Sequence, residues 1–500
     1  MSILSKKDFH QRLEGTKATS GWDLLVSYDE EHLNRALAKK WKRTNKGSGV
    51  KFNLRSQPVQ TIQIDQEFDI TLSPPTLKFS TSSKNALLGM VLNGSYTTTV
   101  TVSGQKQPPE TKTLPMNAYR LEVALPISAV SGDGKVSPGD KVIHFDQTEK
   151  HYSLIFHFKN TEAKWHLTKN DTEKHDLDDT MKTALTQIQA WFTSKDDIHW
   201  IDVSVAQLSN KANPNSDTDT LLPRSFVLSC QAGYLFVFIA TKNPPGREDP
   251  QFGHKGSETM APVPSGFTSS IIIGHKLFTE FMKDELKKSY TGSLKEITEK
   301  ETSSGIQLSL AMTDSQSWNL NTPIGITTYD VDKVAVDYTK YPITLHVKDD
   351  KSLASSVSLT WTAETKVQWY SCHKIDPATY TYGQVAITSD WTSPPKGFAH
   401  IAGDELQIGI DVPKTELPSM SFKGEKVDQW WNQYKGVTEV PKFFKEQVQF
   451  TLPSNLSCQF KGLNFFSAQN VFVPGVRFIQ ATEQMVPHDV VLLGTMPEVE

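Results

Sequence analysis

Apolar and polar residues alternate along several segments of this chain, most clearly between Thr61 and Leu72. The apolar positions of that stretch share one phase: Ile62, Ile64, Phe68, Ile70 and Leu72. Only Gln66 interrupts this phase, and the opposite phase is wholly polar. Because successive side chains of a strand point to opposite faces, the pattern predicts one long strand with a wet face and an apolar face. Strands usually have about 5–6 residues, so a strand of this length indicates a large curved sheet whose apolar face must be covered.

The same alternation recurs at residues 95–103, 341–347, 357–363 and 444–452. Parallel sheets are covered on both faces and give continuous apolar runs, whereas these segments keep one polar face. The pattern therefore favours antiparallel sheets.

Three segments change to helical periodicity, at residues 29–41, 176–192 and 275–289. The first has a stripe of large apolar side chains: Leu33, Leu37 and Trp41. We expect all three helices to lie with such stripes against the sheets. The predicted fold class is α+β, with long, strongly curved antiparallel sheets and amphipathic helices.

Residues 243–266 form a polar connection rich in proline and glycine. It predicts a division into an N-terminal module of residues 1–242, the connection itself, and a β-rich C-terminal module of residues 267–500. A connection of this length is expected to be functional or disordered.

Composition excludes some classes of function. The 500 residues carry a net charge of −4, which argues against the broad basic surface of a nucleic-acid-binding protein. No apolar run reaches the roughly 18 residues of a membrane span, and the first residues do not form a signal peptide. The three cysteines Cys230, Cys372 and Cys458 are few and far apart, which is typical of a reducing compartment. We therefore expect a soluble cytoplasmic protein, with non-classical export left open.

Catalytic motifs are scarce. The sequence has neither a phosphate-binding glycine loop nor a Gly-x-Ser-x-Gly elbow. His175 and Asp178 could hold a divalent ion, but acidic residues at a predicted helix start are more often caps. We predict no metal, no cofactor and no enzymatic activity, with an enzyme as the third and weakest hypothesis. The adjacent Trp430 and Trp431 leave contact with a membrane surface open.

Two segments carry a resemblance to a known family. The first is the opening Gly21-Trp22-Asp23, which leads into a helix with Asn34, Ala36 and Leu37. The second is the apolar run Ile271–Ile273, followed by Gly274 and His275. Both resemble the forty-seven-kilodalton protein family encoded beside certain clostridial neurotoxins. That resemblance implies the tubular lipid-binding (TULIP) fold, an elongated architecture in which long curved antiparallel sheets wrap around long helices.

The resemblance also implies a groove for a lipid or another hydrophobic ligand. We expect seven residues to line that groove: Leu33, Leu37, Trp41, Ile62, Ile64, Phe68 and Ile70. The alternative is an interaction scaffold or accessory protein for a toxin or partner proteins, with a filled core and no ligand. In that case the 243–266 connection and the wet sheet faces would be the contact surfaces.

Overall fold

The computed structural model describes the following residues: 3–44, 49–79, 85–131, 136–138, 141–145, 151–156, 164–169, 179–194, 203–209, 223–231, 233–289, 294–301, 305–312, 315–324, 327–337, 343–349, 357–376, 379–391, 396–402, 405–411, 420–424, 456–460 and 480–495. Its helices are α1 (Lys6–Leu13), α2 (Glu30–Thr44), α3 (Asp179–Ser194) and α4 (His275–Ser289).

The strands of the first half are β1 (Leu24–Asp29), β2 (Gly49–Val59), β3 (Ile62–Leu72), β4 (Thr76–Phe79), β5 (Asn85–Val102), β6 (Gln105–Lys106), β7 (Glu110–Thr113), β8 (Tyr119–Ser131), β9 (Val136–Pro138), β10 (Ile143–His144), β11 (His151–Phe156), β12 (Lys164–Lys169), β13 (Val203–Ser209), β14 (Ser225–Gln231) and β15 (Tyr234–Ala240). Those of the second half are β16 (Ser269–Ile273), β17 (Leu294–Glu301), β18 (Ile306–Met312), β19 (Ser315–Ile324), β20 (Thr327–Asp337), β21 (Ile343–Asp349), β22 (Val357–Asp376), β23 (Thr379–Trp391), β24 (Lys396–Ala402), β25 (Glu405–Asp411), β26 (Met420–Gly424), β27 (Leu456–Phe460), β28 (Gln480–Met485) and β29 (Val490–Thr495).

The predicted long strand is β3, which has 11 residues. Phe68, Ile70 and Leu72 on its apolar phase are buried, while Glu67 and Asp69 on the other phase are exposed. The three predicted helices correspond to α2, α3 and α4. The described helices span 8 to 16 residues. The predicted strand at 444–452, the pair Trp430 and Trp431, and the segment with His175 and Asp178 lie outside the described residues.

A seven-stranded sheet forms one core, in the order β10-β14-β15-β1-β16-β29-β28. Its strand pairs are antiparallel. Strands β1, β15, β16 and β29 are buried along nearly their whole length, so this sheet is covered on both faces. Such double coverage explains the continuous apolar run from Tyr234 to Ala240, which has no polar phase.

The Pro/Gly-rich connection is part of this core. Phe252, Met260, Ala261 and Val263 are buried there together with Phe9 of α1. The connection therefore packs across the seven-stranded sheet instead of standing free. The same sheet combines strands from residues 24–29 and 225–240 with strands from residues 269–273 and 480–495, so both predicted modules contribute to it. The module boundaries themselves stay a prediction.

An 11-stranded antiparallel sheet forms the second core, with the path β13-β11-β8-β5-β3-β2. Its central strand, β5, is 18 residues long. On one edge β5 pairs first with β4 and then with β3, and on the other edge with β8 and then with β7 and β6. The edge that pairs with β8 and then with β7 changes partner beside Gly94, which has a φ of +141°, whereas β3 pairs with the other edge continuously past this glycine. A glycine with this conformation lets the long strand bend, and we call this position the bend.

Helix α3 lies in the hollow of this sheet. In the sheet, β3, β5 and β8 lie between β2 and β12. Helix α3 is nevertheless closer to β2 and β12 than to these three strands. A helix laid across a flat sheet would be equally close to every strand that it crosses. The sheet therefore curls around α3 as a half-barrel. Met181, Ala184 and Ile188 form the buried stripe of α3.

The remaining described strands form three smaller antiparallel sheets. Their orders are β17-β18-β21-β22-β23-β26, β19-β20 and β24-β25-β27. The alternating segment at 357–363 begins β22, and the segment at 341–347 corresponds to β21 from Ile343 onward.

Candidate functional site

The apolar face of the curled sheet is built from rows of side chains that run across β2, β3 and β5. The register aligns Phe52 with Phe68 and Tyr96 in one row, and two residues further along each strand it aligns Leu54 with Gln66 and Thr98. The next rows are Ser56, Ile64 and Val100, then Val59, Ile62 and Val102. We call these four rows the groove rows. They extend from the bend at Gly94 to the tip of the β2–β3 hairpin.

The first groove row is a stack of three aromatic rings. Phe52 and Phe68 are parallel within 9° at a centroid distance of 4.7 Å, and Phe68 and Tyr96 are 5.1 Å apart. The ring of Phe68, in the middle, is only 2% exposed. Cross-strand aromatic pairs of this kind stabilise a sheet and give it a flat apolar surface. This row forms the inner floor of the site.

The last groove row is open. Val59 is 52% exposed and Val102 is 39% exposed, although both stand on the apolar phase of the sheet. Ile62 and Ile64 are half-buried. The main-chain N–H of Ser103 donates to the carbonyl of Thr61 at 2.7 Å, which ties the two neighbouring hairpin tips together. Val59, Ile62 and Val102 therefore form an apolar rim at the outer end of the rows, which we call the lip.

The two faces of these strands differ in charge. None of the 12 groove-row side chains is ionisable at neutral pH. On the opposite face, Lys51 pairs with Asp69 at 2.8 Å and Arg55 with Asp65 at 2.6 Å. The hydrogen bond from Arg55, with a second one from Gln63, lowers the pKa of Asp65. Charges are thus confined to the outer, solvated face.

On the other side of the bend from the groove rows, side chains of α2 are buried against the strands. Helix α2 lies against β4 and β1, with Leu33, Leu37 and Trp41 buried. The amide of Asn34 donates to the carbonyl of Leu77 at 2.9 Å and accepts its N–H at 2.6 Å, which pairs the outer edge of β4. This half of the sheet is filled by its own side chains.

A buried carboxylate fixes the start of the Pro/Gly-rich connection. Asp23 is 3% exposed, and one of its oxygens accepts N–H groups from Thr241, Lys242 and Asn243. The indole N–H of the preceding Trp22 donates to a carbonyl of the same connection at 3.0 Å. The Gly-Trp-Asp segment is thus a structural clasp, and its polar groups are used by hydrogen bonds within the chain.

A second buried carboxylate, Asp489, joins three parts of the chain. It accepts the N–H of Ala18 at 2.7 Å and the N–H of His275 at the start of α4 at 2.8 Å. The ring of His275 stacks on that of His488 at 4.5 Å, and its Nε2 lies 3.0 Å from a carboxylate oxygen of Glu299. Burial raises the pKa of Asp489 to about 6. This arrangement caps a helix, and Asp489 itself is only 2% exposed.

Comparisons with known proteins identify the fold. No protein-family model matches this sequence, and no curated protein matches it. The structure solved for P47 from Clostridium botulinum A2 matches with a TM-score of 0.50 and 12% identity, over 96% of this chain and 99% of that chain. The chain has a P47-like fold. The structure of P47 from Clostridium botulinum E1 is also similar, with a TM-score of 0.48 and 10% identity over 95% of this chain and 99% of that chain.

The P47-like fold confirms the resemblance that the Gly21-Trp22-Asp23 segment indicated. Within this fold, five of the seven predicted groove residues are buried and two are half-buried. Leu33, Leu37 and Trp41 are buried on α2 below the bend, and Phe68 and Ile70 are buried at the bend itself. The remaining two, Ile62 and Ile64, are half-buried in the open rows. Their role as a ligand-binding set stays a prediction.

Phe52, Tyr96 and Val102 stand in the groove rows but were not among the predicted groove residues. Tyr96 and Val102 lie in the alternating segment 95–103, and alternation along β2 is the signal that could have indicated Phe52. Asp489 follows no pattern that could have indicated its role.

The described residues add three further observations. They contain no cluster of three or more His, Cys, Asp and Glu side chains that could hold a metal ion. None of the helices they include combines the length and the apolar character needed to cross a membrane. Burial also raises the pKa of Cys230 to about 12, so this thiol is a poor nucleophile.

Proposed function

We propose that the chain binds a lipid or another hydrophobic ligand, without catalysis, in the groove between the curled sheet and its helices. The observation that carries this proposal is the contrast along one face of β2, β3 and β5. An aromatic row whose central ring, Phe68, is buried leads outward to half-buried and then exposed apolar side chains, and none of them is charged. Exposed apolar surface that is continuous with a buried floor is typical of a binding groove.

Burial of apolar ligand surface would supply the affinity, at about 25 cal/mol per Å². Phe68 and Ile70 would form the inner end, and Ile62 and Ile64 would line the outer end. The α2 residues Leu33, Leu37 and Trp41 would close the groove beneath the bend. In this proposal the chain acts as a TULIP protein, with the curled sheet as one wall of the tube. The expected cytoplasmic location and a possible contact with a membrane surface belong to the same proposal.

The test begins with protein purified without detergent. Solvent extraction followed by lipid analysis should recover bound lipid, and the neutral polarity-sensitive dye Nile red should show saturable fluorescence enhancement. An extract without lipid together with no saturable dye binding would contradict the proposal. That result would favour the alternative, an interaction scaffold or toxin accessory protein whose core is filled by its own side chains.

A matched pair of variants locates the site. Val100 and Thr101 are neighbours on β5 that point to opposite faces. Val100→Glu places a carboxylate in the groove rows, where desolvation by a ligand is costly, so we expect about a tenfold or greater loss of dye affinity. Thr101→Glu places the same charge on the outer face opposite Lys106, and dye affinity should not change. Equal affinity of both variants would place the binding site elsewhere.

A further inference from the structure

Two polar side chains interrupt the groove rows at one depth. Gln66 and Thr98 are cross-strand partners, and the amide of Gln66 donates to the Thr98 hydroxyl oxygen at 3.4 Å. Both are half-buried, between the aromatic row on one side and the Ile64 row on the other. An apolar residue at position 66 would complete the alternation of β3, so this polar pair needs an explanation.

Within the part of the chain that the structure describes, the pair has unused hydrogen-bonding capacity. A glutamine side chain has two N–H donors and a carbonyl acceptor, and a threonine hydroxyl both donates and accepts. The long bond between Gln66 and Thr98 engages one of the amide hydrogens, and the described residues supply no further partner. The second amide hydrogen, the amide carbonyl and the hydroxyl hydrogen can meet a polar group of a ligand.

The depth of the pair limits what that group can be. Gln66 is four residues from Ile62 at the lip, which corresponds to about 13 Å along a strand. Phe68 is two residues further in, about 7 Å. A ligand bound along the rows would therefore place an apolar part against the aromatic stack, and a polar part well inside the lip.

The charges near Gln66 and Thr98 further limit which polar group of a ligand can lie beside them. Lys51 and Arg55 are the nearest basic groups on these strands, but both stand on the opposite face and pair with Asp69 and Asp65. An ionised carboxylate or phosphate beside Gln66 would lose its water without gaining a counter-charge from the groove rows, which is strongly unfavourable. A neutral hydroxyl or ester carbonyl would exchange water for the amide and hydroxyl at little cost.

On this basis, and resting on the proposed function, we infer that the groove is selective for neutral amphiphiles, whose ester or hydroxyl group is bound by Gln66 and Thr98 while the acyl chain lies on the aromatic row. Monoacylglycerols belong to this class. The polar pair acts as a specificity determinant, and the apolar rows supply most of the affinity.

The experiment measures displacement of Nile red at pH 8 by two ligands with the same acyl chain, monooleoylglycerol and oleate, at concentrations below aggregation. We expect the wild-type chain to bind monooleoylglycerol about tenfold more tightly than oleate. In Thr98→Val, which keeps the side-chain shape, and in Gln66→Leu, affinity for monooleoylglycerol should fall severalfold while dye affinity is retained. Gln63→Leu, on the opposite face of β3, is the matched control and should leave the preference unchanged.

The outcomes separate the two proposals. Absence of saturable dye binding to the wild-type chain would overturn the proposed function and with it this inference. Dye binding with equal displacement by monooleoylglycerol and oleate would overturn the inference alone. A preference for monooleoylglycerol over oleate that is retained in both Thr98→Val and Gln66→Leu would also overturn the inference alone. Circular dichroism of each variant verifies the fold, and the isosteric Thr98→Val keeps the test valid if Gln66→Leu is unstable.

Discussion

The carboxylate of Asp23 holds Asn243 at two points, accepting its main-chain N–H at 3.0 Å and its side-chain amide at 2.8 Å. The same carboxylate accepts the N–H of Thr241 at 2.7 Å, and the Asp23 carbonyl accepts the N–H of Gly274 at 2.8 Å. One buried residue thus fixes the end of β15, the start of the Pro/Gly-rich connection and the start of α4. The most distant of these partners, Gly274, is 251 positions further along the chain than Asp23.

We expect Asp23→Ala to lower the free energy of unfolding by about 3 kcal/mol or more, because it leaves several buried N–H groups without an acceptor. Asp23→Asn should cost less, since an amide oxygen can still accept some of these bonds. Urea denaturation measures both. Glu67→Ala, which removes an exposed carboxylate on the outer face of β3, is the control, and an equal effect of Asp23→Ala and Glu67→Ala would contradict the clasp.

Gly94→Ala should disrupt the bend of the curled sheet. A Cβ at this position would lie 2.1 Å from the main-chain carbonyl oxygen of Asp69, a neighbour that cannot move without breaking the β3–β5 pairing. We expect a loss of several kcal/mol, measured as the urea midpoint, or failure to fold. Gly104→Ala is the matched control: its φ is also positive, at +80°, but no atom lies within 4 Å of the added Cβ.

The control isolates the close approach from the cost of the backbone conformation. Gly104→Ala should cost only about 1 kcal/mol, the penalty of a positive φ for a residue with a side chain. If both variants lose the same stability, the contact with Asp69 does not determine the bend.

The elements that the sequence predicted well are those whose pattern is local. β3 and β5 alternate with period two, and α2 and α4 have wide apolar stripes, so each can be found from neighbouring residues alone. The bend was missed because Gly94 has no local signature that separates it from other glycines. Its role depends on Asp69, which approaches it from another strand.

The candidate site shows the same division. Ile62, Ile64, Phe68 and Ile70 could be assigned to one face of a strand because they share a phase, and the structure places all four on β3. The depth of the polar pair was not predictable, since it depends on the register that sets Gln66 opposite Thr98. The Pro/Gly-rich connection was expected to be functional or disordered because of its length. The burial of its few apolar residues in the core was not predictable from its polar composition.

Asn34→Asp should weaken the junction between α2 and β4. The Asn34 amide now pairs with both the N–H and the carbonyl of Leu77. A carboxylate would keep the first bond but oppose the Leu77 carbonyl with a negative charge, so we expect a loss of about 1–3 kcal/mol in urea denaturation. Arg35→Ala alters the exposed neighbour on the same helix and should cost less than about 0.5 kcal/mol. Equal losses would show that this pairing contributes little to stability.

The buried carboxylate of Asp489 should make the free energy of unfolding depend on pH. Burial raises its pKa from the ordinary 3.8 to about 6 in the folded chain, although N–H groups of His275 and Ala18 partly oppose the shift. Between these two values the folded state binds more protons than the unfolded state, so the contribution of Asp489 to stability is present below about pH 4 and is lost as the pH rises through about 6. The difference corresponds to roughly 3 kcal/mol at most.

The measurement compares the wild-type chain with Asp489→Asn, whose amide does not titrate, by urea denaturation at pH 4.5, 5.5, 6.5 and 7.5. The variant also changes the hydrogen bonds to Ala18 and His275, which shifts its stability by an amount that does not depend on the Asp489 proton. The informative quantity is therefore the slope: the free energy of unfolding of the wild-type chain should fall relative to that of Asp489→Asn between pH 4.5 and 6.5 and then level off. Glu67→Gln, which removes an exposed carboxylate and keeps Asp489, is the control: its free energy of unfolding should fall relative to that of Asp489→Asn in the same way as that of the wild-type chain. A wild-type stability that stays parallel to that of Asp489→Asn would mean that the buried carboxylate keeps an ordinary pKa, and that its N–H partners compensate fully for the loss of water.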